Sequence, residues 1–190
     1  IRNQVNLAVS AGSKKFKSYM NVGFLNEDGI AVNSNFKRIN SRFKLDFTPN
    51  EKLKISSNFN VSFEQYSGLN ENQVFQQLVE RIAYFPVIEP DGSYTPEIAG
   101  RQNPLAEANL RKLRLRTYRG QSFNSIQYKI TPELSIKSTL GIDYRLRRNN
   151  DFEPLLVLHP TRATNPEGAF RDRMDYSIQQ ENFLNYNNQF

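Results

Sequence analysis

The stretch RFKLDFTPNEKLKISSNFNVSF, Arg42 to Phe63, alternates apolar and polar residues with a period of two. Phe43, Leu45 and Phe47 are separated by Lys44 and Asp46. After TPNEK the pattern resumes, with Leu53, Ile55, Phe59, Val61 and Phe63 set against Lys54, Ser56, Asn58, Asn60 and Ser62. That period is a strand's, because successive side chains point to opposite faces. The segment therefore reads as two strands joined by a turn, each with one apolar and one polar face. If Phe47 faces Leu53 across the turn, Asp46 faces Lys54 as an opposite-charge pair.

Working outward, the same pattern predicts seven strands, at 4–10, 16–25, 36–47, 53–66, 114–130, 134–147 and 175–190. Ala11-Gly12-Ser13, Thr48-Pro49-Asn50 and Thr131-Pro132-Glu133 mark short turns at 11–15, 48–52 and 131–133. The other connections, 26–35, 67–113 and 148–174, are longer. Asp28-Gly29 is a hairpin signal within the first. The second carries Val74, Phe75, Leu78, Val79 and Ile82 at helical spacing, a short helix ended by Pro86.

Short and long connections thus alternate along the chain. A soluble sandwich mixes loop lengths at both ends, whereas an up-and-down outer-membrane barrel keeps tight turns at one rim and long loops at the other. Strand length points the same way. Leu53 to Phe63 extends about 33 Å at ~3.3 Å per residue, which a tilt of about 40° reduces to the ~25 Å apolar band of such barrels. The expectation is an all-β, antiparallel, transmembrane barrel segment with lipid on the odd face of 42–63 and a lumen on the even face. Seven strands cannot close a barrel of the usual even number, so the segment is expected to belong to a larger barrel.

Composition agrees. The 190 residues are only 38% hydrophobic, with mean hydropathy -0.65, yet they include 14 Phe and 9 Tyr. Apolar residues are scarce but well placed, as sheets with one polar face require. The net charge of +6 and pI near 9.5 admit an anionic partner: nucleic acid, anionic lipid or acidic substrate. Lacking cysteine, the chain has no disulfide, thiolate chemistry or cysteine-based zinc site. No apolar run reaches the ~20 residues of a spanning helix. The first residues, IRNQVNLAVSAGS, read as a strand rather than a signal peptide, and the last are strand-like too, so the chain is expected to start and stop inside a larger fold.

VGFLNEDGIAVNSNFKR, Val22 to Arg38, is similar to a stretch of SusC/RagA-type TonB-dependent transporters of Bacteroidetes outer membranes. The likeness runs through Gly23, Phe24, Asn26, Gly29, Ile30, Ser34, Phe36, Lys37 and Arg38. LAVSAGSKKFKSYMNVGF before it resembles the family's preceding hairpin, with Ala11 in place of a usual Gly. YFPVIEPDGSY (Tyr84–Tyr94) and NPLAEANL (Asn103–Leu110) resemble its long-loop segments. The resemblance implies a 22-stranded barrel with an N-terminal plug, a SusD-like surface lipoprotein as lid, and TonB as driver. Cargo of that family is oligosaccharide or peptide. The plug and TonB box are not in this sequence, so 1–190 is expected to be barrel alone, with 67–113 as a long extracellular loop.

Arg111, Lys112, Arg114, Arg116 and Arg119 cluster where the fifth strand leaves that loop, and Arg145, Arg147 and Arg148 where the sixth strand ends. If Ile130 faces Leu134, Arg119 lies near Arg145, a like-charge pairing that calls for an anion between them. By parity with Tyr118, Arg114 and Arg116 point outward, toward lipopolysaccharide phosphate. Arg119 and Arg145 point inward, toward cargo or lid; the plainer alternative is solvated arginines held by carboxylates. Tyr66, Tyr84, Phe85 and Tyr94 are candidates for stacking on cargo or meeting the lid, or they pack the loop. His159 stands alone, and no metal, cofactor or catalytic constellation is legible. A competing reading is a soluble secreted β-sandwich that binds glycan. Nucleic-acid binding is disfavoured because aromatics and basic residues lie mainly on different faces, whereas stacking platforms interleave them.

Overall fold

The computed structural model describes residues 1–69, 71–81, 83–155 and 165–188. It contains β1 (Arg2–Gly12), β2 (Phe16–Asp28), β3 (Asn35–Phe47), β4 (Leu53–Gly68), α1 (Glu71–Glu80), α2 (Pro104–Leu110), β5 (Lys112–Lys129), β6 (Leu134–Glu153) and β7 (Glu167–Tyr186). The strands form one antiparallel sheet in the order β1-β2-β3-β4-β5-β6-β7, each paired with its sequence neighbours. His159, Ile82 and the last two residues lie outside the described part.

All seven expected strands are present and in phase. Register aligns their apolar residues into rows: Val5, Phe24, Ile39, Phe63, Tyr118, Leu146 and Met174 form one continuous line across the sheet. Two residues along, Leu7, Val22, Val61, Tyr144 and Tyr176 share the next. The opposite face is mainly polar, with rows such as Asn6, Asn40, Ser62, Arg119, Arg145 and Asp175, and carries single apolar side chains such as Leu25 and Phe123. A one-residue slip anywhere would invert this order, so the two-faced pattern fixes the register.

The sheet itself has no core. Among described residues the buried apolar side chains are Leu25, Leu69, Val74, Ala106 and Ala108, and Leu69, Val74 and Ala108 cluster with Ala31 at the end bearing the long connections. On the apolar face, by contrast, Val9 is 70% exposed, Ile178 67% and Tyr176 72%. An uncovered apolar surface of this extent costs about 25 cal/mol per Å² in water, and marks a face that meets another apolar phase.

Three details differ from expectation. Phe47 pairs with Ile55 rather than Leu53, and Asp46 with Ser56, whose hydroxyl donates to it at 2.7 Å. The cause is local: Asn50 Oδ1 accepts from the Lys52 and Leu53 amides, widening the turn by two positions on β4. Asp46 instead approaches Lys44 on its own strand at 3.8 Å. Second, strands run further than the alternation suggested, so the connections shrink to 29–34, 69–111 and 154–166. The first is scarcely longer than the turn at 48–52. β7 starts at Glu167, not 175, because Glu167 to Asp175 pair with β6 although polar residues interrupt the apolar pattern. Third, the hairpin signalled by Asp28-Gly29 is present between β2 and β3, but its left-handed position is not the glycine. Gly29 N–H donates to Ser34 O at 2.9 Å, and the left-handed position is Asn33, at φ 61°. Gly29 is required instead by the close approach of the Ser34 side chain.

Candidate functional site

The polar face carries a ladder of charges at the long-connection end. Register sets Arg119 directly opposite Arg145. Arg119 turns to Asp143, with Nε at 3.3 Å and Nη2 at 2.7 Å from its two oxygens, and Gln121 Nε2 donates to the same carboxylate at 2.9 Å. The anion that the like-charge pairing calls for is therefore internal. Arg145 itself has no carboxylate within 4.0 Å among the described residues. On the neighbouring strand Asp175 joins Arg147 at 3.1 Å and Arg173 at 3.0 Å.

These groups leave polar hollows. Asp143, Arg145, Arg147, Arg173 and Asp175 line one of about 310 Å³. Asn21, Asn40, Arg42, Asn60, Arg119 and Gln121 line another of about 200 Å³. Donors and acceptors alternate across both, which suits hydroxyl- or amide-rich ligands. Gly23 belongs to this surface, since a Cβ there would stand 2.7 Å from Asn6 Oδ1 and 2.8 Å from Asn40 Oδ1.

The segment 69–111 is a folded unit rather than an open loop. Asn103 caps α2, its Oδ1 accepting from Leu105 N at 3.0 Å and Ala106 N at 3.2 Å. Its Nδ2 donates to Val87 O at 2.6 Å and Thr95 O at 3.0 Å, so one buried amide ties cap, chain and hairpin together. Asp91 and Gly92, at φ 84°, turn that hairpin, where Ile88 pairs with Tyr94. Side-chain and backbone bonds from Ser93 hold the Asp91 carboxyl below its usual range. Asn33 reaches across from 29–34 to Ala108 O at 3.2 Å and Asn109 Oδ1 at 2.9 Å.

Arg111 locks this assembly to the sheet. Its guanidinium meets Glu107 at 2.9 Å, Asp151 at 2.7 Å, and Glu153. Glu107 is 1% exposed, and burial pushes its carboxyl above the ordinary range while the bond to Arg111 pulls the other way. Sequence reasoning missed this node: its partners lie 4, 40 and 42 residues away, and the i,i+4 pair Glu107–Arg111 was the one short-range signal for it.

The aromatic candidates are not gathered into one stack. Tyr66 donates to Leu69 O at 3.2 Å and so packs the base of the loop. Tyr84 is 89% exposed and meets Phe85 edge-on, with ring centroids 5.8 Å apart. Tyr94 is half-buried in the hairpin. On α1 only Val74 of the apolar positions is buried, while Phe75, Leu78 and Val79 are exposed. On the apolar face, Arg114 is exposed and Arg116 contacts Gln65 at 3.3 Å. Among described residues no group of His, Cys, Asp and Glu could hold a metal ion, and no helix is long and apolar enough to cross a membrane.

No family model matches the chain. TonB-dependent receptor P39 of Formosa agariphila is 38% identical over 192 aligned positions, covering 100% of this chain and 18% of that protein. The RagAB peptide importer in its closed-closed state matches 98% of the chain and 22% of its own, with TM-score 0.72 at 18% identity. A structure of the RagAB peptide transporter matches 97%, again over 22% of its own chain, with TM-score 0.68 at 18% identity. The chain thus spans less than a quarter of each relative's length. Over its whole length the chain is similar in sequence to a segment of a TonB-dependent receptor, and it shares its fold with a segment of the RagAB structures.

Proposed function

We propose that this chain is part of the wall of a TonB-dependent importer that takes up oligosaccharides or peptides with a SusD-like surface lipoprotein. The observation that carries the reading is the seven-strand apolar face, continuous and uncovered, backed by a face of alternating donors, acceptors and ion pairs. Lipid covers the first, and the second lines the passage. The strands run from 11 to 20 residues, enough for the ~9–11 that a tilted strand needs to span the hydrocarbon. Both outer edges, β1 and β7, are unpaired within the chain, which fits a sheet continued by further strands, about 22 in the full barrel.

In this reading the 67–113 segment is an extracellular loop, and its exposed Phe75, Leu78, Val79 and Tyr84 offer the surface for lid or cargo. Polar hollows around Arg119 and Arg145 meet cargo in transit. TonB acts through a plug outside the chain. No step of the function is catalytic, and the named relatives are a receptor and a transporter. A glycan-binding sandwich would need a second sheet over the apolar rows, and the described strands form one sheet.

The test is growth of a strain deleted for the full-length gene on single oligosaccharides or oligopeptides. Loss of growth on one such nutrient, restored by the wild-type gene but not by a TonB-box deletion, supports the reading and selects the cargo class. Unchanged growth on every nutrient, with the protein normally expressed in the parent, overturns it.

A further inference from the structure

At the long-connection margin of the apolar face the rows turn basic. Lys37, Gln65, Arg116, Arg148 and Asp172 lie side by side, Arg116 directly opposite Arg148. The next outward row, about 7 Å further along the strands, holds Arg114 beside Asn150, and beyond it Lys112 stands opposite Phe152. Asp172 takes Arg148 at 3.2 Å. No carboxylate lies within 4.0 Å of Lys37, Lys112, Arg114 or Arg116 among the described residues. Like charges placed face to face repel unless an anion sits between them. Asp172 relieves Arg148 as Asp143 relieves Arg119, and Arg116, which donates to Gln65 at 3.3 Å, meets no carboxylate among the described residues.

A cavity of about 530 Å³ opens over this margin, lined by Asn33, Asn109, Lys112, Arg114, Phe152 and Phe170, and also by the mutually paired Arg111 and Asp151. Cations, amides and two rings around one hollow suit an anion attached to a sugar. Directly below, Phe63, Tyr118 and Leu146 begin the apolar rows. The order is amphiphilic: a polar cavity, a band of guanidinium groups, then a surface for acyl chains.

We propose that this margin is a binding site for the phosphorylated headgroup of an outer-leaflet glycolipid, lipopolysaccharide. Arg114 and Arg116 hold a phosphate through charge-assisted forks, with Lys37 and Arg148 flanking it. The sugar enters the cavity and the acyl chains lie along the apolar rows. The proposal rests on the reading of the apolar face as lipid-facing and names the lipid class at its outer edge.

The experiment uses the full-length transporter, purified in detergent as wild type, as Arg114→Gln/Arg116→Gln, and as Lys52→Gln at the opposite rim. Native mass spectrometry follows binding of phosphorylated lipid A, of its dephosphorylated form, and of phosphorylated lipid A with inorganic phosphate as competitor. The expected result is one phosphorylated lipid A on wild type and on Lys52→Gln, with affinity reduced about tenfold in the double variant, the scale of a lost charge-assisted bond. Dephosphorylated lipid A binds all three chains at the double variant's level. Equal affinity in wild type and double variant overturns the proposal. Displacement of the lipid by millimolar phosphate also overturns it, identifying a free-anion site. A mobility shift on boiling, run on the same samples, reports the barrel separately: shifting chains with no lipid preference sink only this proposal, and chains that do not shift sink the lipid-facing reading beneath it.

Discussion

Arg119 and Arg145 stand directly opposite one another on β5 and β6, and the carboxylate that relieves them, Asp143, is two residues from Arg145 on the same strand. Arg119 holds it with both Nε and Nη2. The polar face therefore neutralises part of its own charge, leaving Arg145 as the more available cation.

Asp143→Asn should destabilise the assembled barrel by about 0.2–1 kcal/mol, the range for a largely exposed pair. Adding Arg145→Gln should recover most of that loss, because it removes the repulsion which Asp143 offsets. Urea midpoints of the two variants and the double variant measure the coupling. A double variant whose loss equals the sum of the two singles would show that the three groups do not interact.

Arg111 is the heavier node, being 8% exposed and meeting three carboxylates. Arg111→Met leaves Glu107 buried, and Asp151 and Glu153 half-buried, without this partner, and should cost about 3 kcal/mol of local stability. Limited proteolysis should then cut within 69–111, while strand resistance is unchanged. An unaltered cleavage pattern would contradict the role given to this arginine.

Glu107 adds a pH dependence to the same node. Its folded carboxyl titrates above the ordinary 4.5 because burial disfavours the charge. The cost of ionising it is absent below the unfolded value, and it is fully present once pH exceeds the folded value. Wild type should therefore lose ground to Glu107→Gln as pH rises through that window. Loop cleavage rates of both proteins from pH 4 to 8 check the sign; a constant ratio would rule the account out.

Asn103→Ala removes a helix cap worth about 1 kcal/mol and strips the Val87 and Thr95 carbonyls of a donor, at about 1–3 kcal/mol for each left unsatisfied. Asn103→Asp keeps the acceptor for Leu105 and Ala106 but not the donor. Loop protection by hydrogen exchange should be highest in wild type and lower in both variants, because Asp restores the cap but sets a buried oxygen against the two carbonyls. Equal protection in all three would mean that the hairpin and α2 are held by other contacts.

Gly23 is constrained from the polar side. A Val there would press on Asn6 and Asn40, whose side-chain atoms already lie within 3.0 Å of the point its Cβ would occupy. Displacing two amides on adjacent strands should slow assembly, seen as accumulation of unfolded precursor in pulse-chase samples. Normal assembly kinetics would show that the face yields.

Much of the architecture was legible because its signal is local. Alternation at Phe43 to Phe63 fixed which side each residue takes, and parity carried that assignment to Tyr118, Arg114 and Arg119. Register was less legible. The two-position shift at 48–54 depends on Asn50 bonding two amides, which hydrophobic pattern does not encode. The outer ends of β6 and β7, 148–153 and 167–174, were hidden because polar residues such as Arg148 to Asp151 and Arg171 to Arg173 pair there as strand. That hid Asp172 as the partner of Arg148. The Arg111 node joins residues from α2 and the end of β6, so only the tertiary structure brings it together.

The most direct test of the central claim compares the two faces of one hairpin. Leu45 and Ile55 lie on the apolar face, while Asn58 lies on the polar face opposite Lys44 and accepts from Arg42 at 3.2 Å. Heat-modifiable mobility of the full-length protein, extracted from outer membranes, is the measurement. Leu45 and Ile55 lie two residues from the short-turn ends of β3 and β4, so Leu45→Arg and Ile55→Arg should each cost about 1–2 kcal/mol, between the interface and midplane values, and together weaken or abolish the folded band, whereas Asn58→Asp should leave it intact. Equal tolerance of all three substitutions would contradict a face that meets lipid.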